Sequence, residues 1–321
     1  MLGLFDVSKY KEAFVPPATF KSNIFSAAAY DRKGVLVEKS TRFLTENNLL
    51  KNESPKKINT NQPTDFHAGN WLYINPFTNH YGHWLCETLS RFYPLVDKDF
   101  KIDGIVSPLL MLDSQRGKFH SPKLFNPMYE TLKIFGLEGK PFITLSDERG
   151  DNLHRFENLI IPSSKFKLNE RAWPEMAKLY NHISESVGGY SNRGQNLYMS
   201  RRYAPPEYYG GTLVTYNEEL DNIFDELGFD VVHYPEKISW DKQVAMYKNA
   251  KVIAGIESSA LHNSAFMNRK KVIALCIGRT NSLKNQQAID FIKRNETFSI
   301  ELGENFRPRW TKDQIKLALD S

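Results

Sequence analysis

The chain has 321 residues, 41% of them hydrophobic and 25% charged, an ordinary globular balance on a length too great for most single cores, so two domains are expected. A net charge of +5 is too small to argue for nucleic acid and speaks only weakly for an anionic ligand. Two cysteines, Cys86 and Cys276, each inside an apolar pattern, exclude a disulfide framework, argue against a zinc site and fit a reducing compartment.

The first residues, Met1-Leu-Gly-Leu-Phe-Asp-Val-Ser, carry an early acid and do not read as a signal peptide. No stretch reaches the length of a membrane span, so a soluble, cytoplasmic protein is expected, with peripheral membrane contact left open. Up to Pro63 the pattern is irregular, suggesting a strand or two and an exposed loop. Trp71 to Asn75 reads as a strand, and Trp84, Leu85, Thr88, Leu89 and Phe92 then repeat at helical spacing toward Pro94. Ile105 to Leu112 reads as a strand or strand pair, and Leu124 to Phe135 as a helix closed by Gly136. Phe142 to Leu145 and Asn158 to Ile161 are further strand candidates. A long helix is predicted over Arg171 to Val187, and the Gly188-Gly189 pair after it marks the expected domain boundary.

The second half is more regular. Asn196 to Met199 is a strand, followed by a loop from Arg201 to Val214. Thr215 and Glu218 have the form of a capping box opening a helix to Leu227. Phe229 to His233 is a strand and Ser239 caps a helix to Asn249. Lys251 to Phe266 reads as a strand, a turn at Gly255, capping serines at Ser258 and Ser259, and a helix with an apolar stripe. Val272 to Cys276 and Phe298 to Ile300 are strands, and helices are predicted near Gln286 and Lys312. Strands alternating with helices argue for a parallel, doubly wound sheet.

Two places concentrate groups able to do chemistry. On a regular helix His80, His83 and Glu87 share one face and Arg91 continues it, which is compatible with a cleft wall carrying a general base or with a plain solvated face. A metal reading of His80, His83 and Glu87 lacks a fourth ligand and the HExxH pattern. In the second half, Arg201 and Arg202 follow a strand's carboxyl end, where forked donors suit phosphate oxygens. The turn at Ser258 and Ser259 would aim backbone N–H groups at the same anion. No GxGxxG, GxxxxGK[ST] or G-x-S-x-G pattern occurs, which argues against a nicotinamide cofactor, an ATPase-type phosphate loop and a hydrolase elbow.

Several blocks together resemble family 61 glycosyltransferases. They are Asn79-His-Tyr-Gly-His-Trp-Leu-Cys-Glu-Thr-Leu-Ser-Arg-Phe92, Leu197-Tyr-Met-Ser-Arg201, Asn217-Glu-Glu-Leu220, Ser239 with Gln243, Ala250 to Gly255, and Ser258-Ser-Ala-Leu-His-Asn263 with Phe266. They span roughly residues 70 to 280. The resemblance implies an α/β GT-B-like architecture of two Rossmann-like domains facing across a cleft, with an acceptor-side domain at 1–188 and a nucleotide-sugar domain at 189–321. It implies inversion at the anomeric carbon, a nucleotide-sugar donor that is UDP-linked, no cofactor and no bound metal. Arg201, Ser258, Ser259 and Asn263 would then contact the diphosphate, with Arg202 beside them, and Glu218 and Gln243 would support the nucleoside or sugar. Glu257 stands where the family often has His, and Ser258-Ser259 replace its Gly-Ala pair. A carboxylate beside pyrophosphate would be repelled, so Glu257 is expected to face a sugar hydroxyl, or the donor differs.

The function expected is transfer of a sugar to a polysaccharide or glycolipid acceptor in bacterial surface-glycan synthesis, with Glu87 or His83 as base and His80 and Arg91 on the acceptor side. The alternatives are a non-catalytic glycan- or nucleotide-binding protein and a metal-dependent hydrolase.

Overall fold

Short apolar runs alternating with amphipathic helices build two α/β units, Met1–Leu168 and Asn169–Ser321. The computed structural model describes residues 7–21, 24–41, 51–75, 80–97, 100–108, 126–145, 152–189, 195–203, 217–278, 280–302 and 306–321. Thr215, the start of the expected capping box, lies outside them, as do residues 109–112 of the expected strand pair. No described helix is long and apolar enough to cross a membrane.

The first unit contains strands β1 (Val7–Val15), β2 (Thr19–Lys21), β3 (Ile24–Ser26), β4 (Lys51–Asn52), β5 (Thr64–Tyr73), β6 (Gly104–Pro108), β7 (Phe142–Leu145), β8 (Leu153–Pro162) and β9 (Phe166–Lys167). Strands β2 to β4 form a small sheet. The main sheet has the order β1-β8-β5-β6-β7, parallel except for β1, which runs antiparallel to β8. The strand or two expected before Pro63 are four, β1 to β4, and the outer part of β1, Ser8-Lys-Tyr-Lys-Glu12, is polar, as suits a strand at a sheet edge. From β5 the winding goes one way to β6 and β7 and the other way to β8, so the β5–β8 pair is a topological switch point. Trp71, Tyr73, Val106, Phe156, Leu159 and Ile161 fill the core on one face. In the β5–β6 pair Gly104 lies opposite Trp71, and a Cβ there would meet the indole at 2.5 Å, so the close approach requires glycine.

The helix predicted from His80 onward is not regular. An α-turn, α1 (Tyr81–His83), passes into a π-turn at Trp84–Thr88 and a 3-10 turn at Leu89–Phe92. Pro94 then opens α2 (Pro94–Asp97) rather than ending a helix. Among the described residues the unit also has α3 (Asn126–Ile134).

The second unit begins with β10 (Arg171–Ala172) and α4 (Pro174–Ser186), which starts on a helix-compatible proline. Gly188-Gly189, the expected boundary, falls inside this unit. There follow β11 (Asn196–Met199), α5 (Asn217–Glu226), β12 (Asp230–Val232), α6 (Trp240–Asn249), β13 (Val252–Ile256), β14 (Lys271–Cys276), α7 (Thr280–Lys293), β15 (Glu296–Glu301) and α8 (Pro308–Asp320). The five strands β11 to β15 are parallel in the order β12-β11-β13-β14-β15, a doubly wound sheet whose switch point lies between β11 and β13. Leu220 and Phe224 of α5 and Ile315 and Ala318 of α8 pack with Tyr198, Ala254, Ile256, Ile273 and Leu275 in one core. Elsewhere in the unit Phe266 meets Tyr180 of α4 and Trp240 of α6 edge to face.

The stretch from Lys251 to Phe266 departs from expectation twice. Gly255 does not turn the chain; it lies within β13, where a side chain would crowd Met199 and Leu261. No α-helix follows Ser258. The chain bends and forms a six-residue 3-10 turn, Leu261–Phe266, whose N-terminal cap position is Ala260, with no side-chain cap. A turn this short gathers little dipole and few aligned N–H groups.

Candidate functional site

In the first unit the switch point at β5 and β8 holds the histidine-bearing segment. The segment is buried all round from Trp84 to Phe92, so it is no amphipathic stripe. His80 is exposed and His83 is partly exposed, and their rings meet edge to face at 4.9 Å. Glu87 is 4% exposed, and one of its carboxylate oxygens lies 2.7 Å from Nδ1 of His83. A carboxylate accepts only, so Nδ1 carries the hydrogen and Nε2 is the basic nitrogen of the neutral ring. This is an oriented acid–histidine pair, four residues apart, with an accessible imidazole and a buried partner.

Arg91 does not continue that face. Its guanidinium is buried and donates to four backbone carbonyls: Nε to Asn75 at 3.0 Å, Nη1 to Lys39 at 2.9 Å and also to Pro162, and Nη2 to Thr41 at 3.0 Å. Asn75 and Pro162 stand at the carboxyl ends of β5 and β8, so Arg91 ties the helical segment to the switch point. Burial pulls its pKa down to about 10, against the stabilising pull of Tyr73 and Glu87. Its place is the interior, not the acceptor side that the stripe suggested. The π-turn is the reason: it is one residue wider than an α-turn and shifts everything after Thr88 out of phase with His83.

In the second unit the carboxyl ends of β11 and β13 are neighbours, with Met199 opposite Gly255, so the Ser200–Arg202 loop and the Glu257–Ser259 bend leave the same sheet edge at the switch point. Arg202, partly exposed, pairs with the exposed Glu218 of α5 at 2.8 Å, a solvent-accessible pair that a ligand could exchange at little cost. Ser258 and Ser259 are partly exposed. Three other expected contacts are engaged within the unit, two of them buried. Glu257 is buried and accepts from the backbone N–H of Ile277 at 3.1 Å, bracing the bend against the chain beyond β14. Asn263 is buried and donates to the carbonyl of Ala260 at 3.1 Å. Gln243 donates to the carbonyl of Ile238 at 2.8 Å, at the start of its own helix.

Sequence reading missed two groups here. Asp221, on the inner face of α5, is buried near the same edge, with His233 Nδ1 at 3.8 Å and the Ser200 hydroxyl and Arg202 within electrostatic reach. Burial pushes its carboxyl above the ordinary value, and those three neighbours offset only part of the rise. An acid inside the run Leu220-Asp-Asn-Ile-Phe224 was the available signal. The other group lies behind the 3-10 turn. Asp290 accepts from Ser264 at 2.6 Å, Gln286 at 2.7 Å, Thr297 at 2.7 Å and Asn295 at 3.0 Å. Gln286 therefore points its oxygen at Nδ1 of His262, 3.0 Å away. Among the described residues no three His, Cys, Asp or Glu side chains converge as metal ligands would.

No curated protein matches the chain significantly. The family model described as Glycosyltransferase 61 matches residues 81–274, more than half of the chain. The match spans His83 and Glu87, the β11 loop and the β13 bend, leaving His80 just outside. The arrangement of a buried-acid histidine pair on one α/β unit and arginines at the switch point of another thus sits within a chain that belongs to the glycosyltransferase 61 family.

Proposed function

We propose that the chain is an inverting, metal-independent glycosyltransferase of GT-B type. It takes a sugar from a nucleotide-diphosphate donor, UDP-linked, and extends a polysaccharide or glycolipid in surface-glycan synthesis. The observation that carries this reading is the His83–Glu87 pair: an accessible imidazole whose Nδ1 hydrogen is held by a buried carboxylate at 2.7 Å. Of the two candidate bases, His83 takes the role of proton acceptor and Glu87 that of its orienter. The acceptor hydroxyl gives its proton to Nε2 of His83 while its oxygen attacks the anomeric carbon. The bond from that carbon to the diphosphate oxygen breaks, and the electron pair leaves with the diphosphate. Arg201, Arg202 and the backbone of the Ser258–Ser259 bend, on the second unit, meet the charge that develops there. Preorganised donors of this kind supply a large part of a barrier reduction.

The test is a screen of donor turnover across nucleotide sugars, followed by His83→Ala and Glu87→Gln on the active pair of substrates. A positioned base contributes about 10²- to 10⁴-fold, so each variant is expected to lose turnover on that scale while binding donor normally by calorimetry. The double variant should lose little more than either single one, because the residues act as a unit. Full turnover in both single variants would remove the proposed base.

A further inference from the structure

The β5–β8 seam carries a second histidine pair, at the opposite end of the strands from the switch point. There the ladder of Thr64–His67 on Leu153–Phe156 is set apart from the one at Asn70–Leu72 by a bulge after His67. Nε2 of His67 lies 2.7 Å from Nδ1 of His154. The two ring planes are within 10° of each other and the ring centres are 5.0 Å apart, as far as two imidazole centres can be when their nitrogens are that close. The nitrogens therefore point straight at each other, with one hydrogen between them. His154 is 8% exposed and His67 partly exposed; both rings lie against Phe156, and Trp71 meets His67 edge-on.

Asp65, directly opposite His154 in the register, sets the direction in which that hydrogen is donated. Its carboxylate is 3.7 Å from Nε2 of His154, too far for a hydrogen bond but near enough to favour a hydrogen on that nitrogen. Nδ1 of His154 is then the acceptor and Nε2 of His67 the donor. That order leaves Nδ1 of His67 to take the next proton, which makes the shared bond charge-assisted and keeps it whole. A further proton has only Nδ1 of His154 to occupy. There it meets the Nε2 hydrogen of His67 head-on, so the bond must break. Neighbouring charges on β8 and β1 lie elsewhere. Arg155 and Phe66 alternate to the other face of the sheet, where Arg155 pairs with Glu12 at 3.6 Å and covers the Phe66 ring. Glu157 accepts from the backbone N–H of Gly69, and β1 sets Val15 and Ala13 opposite His154 and Phe156.

We propose that Asp65, His154 and His67 form an acid-sensitive latch on this end of the β5–β8 seam, which stays closed with one added proton and opens on the second. Burial holds His67 below its ordinary 6.5, His154 lowers it further and Asp65 opposes both. Below pH 6.5 the closed seam thus binds fewer protons than the open one, so its stability is complete above that value and is lost as the pH falls. Opening is local, because the bulge uncouples this ladder from the far end of the seam, which Arg91 ties down through Asn75 and Pro162.

Hydrogen exchange on the full chain tests this, read as protection factors on peptides covering 64–67 and 153–156 between about pH 7.5 and 5. Wild-type protection is expected to fall about tenfold or more across that range, since each unit of pKa difference between open and closed forms is a tenfold change in the opening constant. Asp65→Asn, at an exposed position, should move the fall to lower pH, because the charge that favours protonated rings is gone. His154→Gln should flatten it, since an amide oxygen accepts the same bond and takes no proton. Nitrogen NMR of histidine-labelled wild-type protein gives a reading that needs no variant: above the transition both rings should carry hydrogen on Nε2. Hydrogen on Nδ1 of His154 would overturn the order of donation and the latch with it. So would wild-type protection that does not change with pH, or a fall that His154→Gln leaves intact. Zinc should leave the melting midpoint where it is; a rise that His154→Gln abolishes would assign the pair to a metal and overturn the latch.

Discussion

Arg91→Met should destabilise the first unit by about 3–5 kcal/mol, the range for breaking a buried charged network by removing one member. The change takes donors from four carbonyls, those of Lys39, Thr41, Asn75 and Pro162. A buried acceptor left unsatisfied costs about 1–3 kcal/mol, so the gross loss is of order 4–12 kcal/mol. Two terms reduce it. Methionine no longer carries a desolvated charge, and depression of the arginine from 12.5 to about 10 puts that relief at about 3 kcal/mol. The carbonyls of Lys39 and Thr41 also lie where burial is only partial and can regain water. Hydrogen exchange read on peptides from β5 and β8 is the assay, since it reports opening of this unit alone. A loss of protection below about 1 kcal/mol would refute the account, as would full rescue by Arg91→Lys, because one ammonium cannot span the acceptors that a guanidinium fork reaches.

Burial depresses Lys293 to about 8 from its ordinary 10.5, while Glu185 opposes the shift. The folded protein therefore releases this proton near pH 8 and the unfolded chain keeps it to about 10.5, so stability gains about 3 kcal/mol as pH rises through that window. Lys293→Met should lack that rise in denaturation curves measured at pH 7.5 and 10.5; parallel behaviour of the two proteins would contradict it. Gly104→Ala should cost about 1–3 kcal/mol by pushing the Trp71 ring off β6, with a change in tryptophan emission; an unchanged midpoint would show that the ring shifts freely.

The second unit was largely readable because its central strands are short, buried apolar runs, Val252 to Ile256 and Val272 to Cys276, each with an α-helix on one side. The element at Asn196 to Met199 agrees residue for residue. In the first unit, β5 begins seven residues before the apolar run at Trp71 that announced it, in Thr64-Asp-Phe-His, because pairing with β8 overrides weak local preference. The candidate site divides in the same way. His83 and Glu87 were recoverable because a four-residue spacing brings them together in an α-turn and still does so here. Arg91 was misplaced because periodicity assumes constant winding, and nothing in Trp84-Leu-Cys-Glu-Thr88 signals a wider turn. The expected helix after Ser258 failed for a related reason. Its apolar residues are spaced for either an α-helix or a 3-10 turn, and packing of Phe266 between Tyr180 and Trp240 selects the shorter one.

The order of the second sheet also bears on how that unit comes into being. β11 lies between β12 and β13, so one of its pairings closes a longer loop than the other. Among the described residues the first, to β12, spans α5, and the second, to β13, spans a further strand and helix. Parallel pairings with such separations raise contact order and slow the search for the native state. The edge that carries Arg201 and the Ser258 bend is thus assembled by the later closure. Changes that hasten β11–β12 docking should leave the folding rate nearly unaltered, whereas changes to the β11–β13 seam, Gly255 included, should move it.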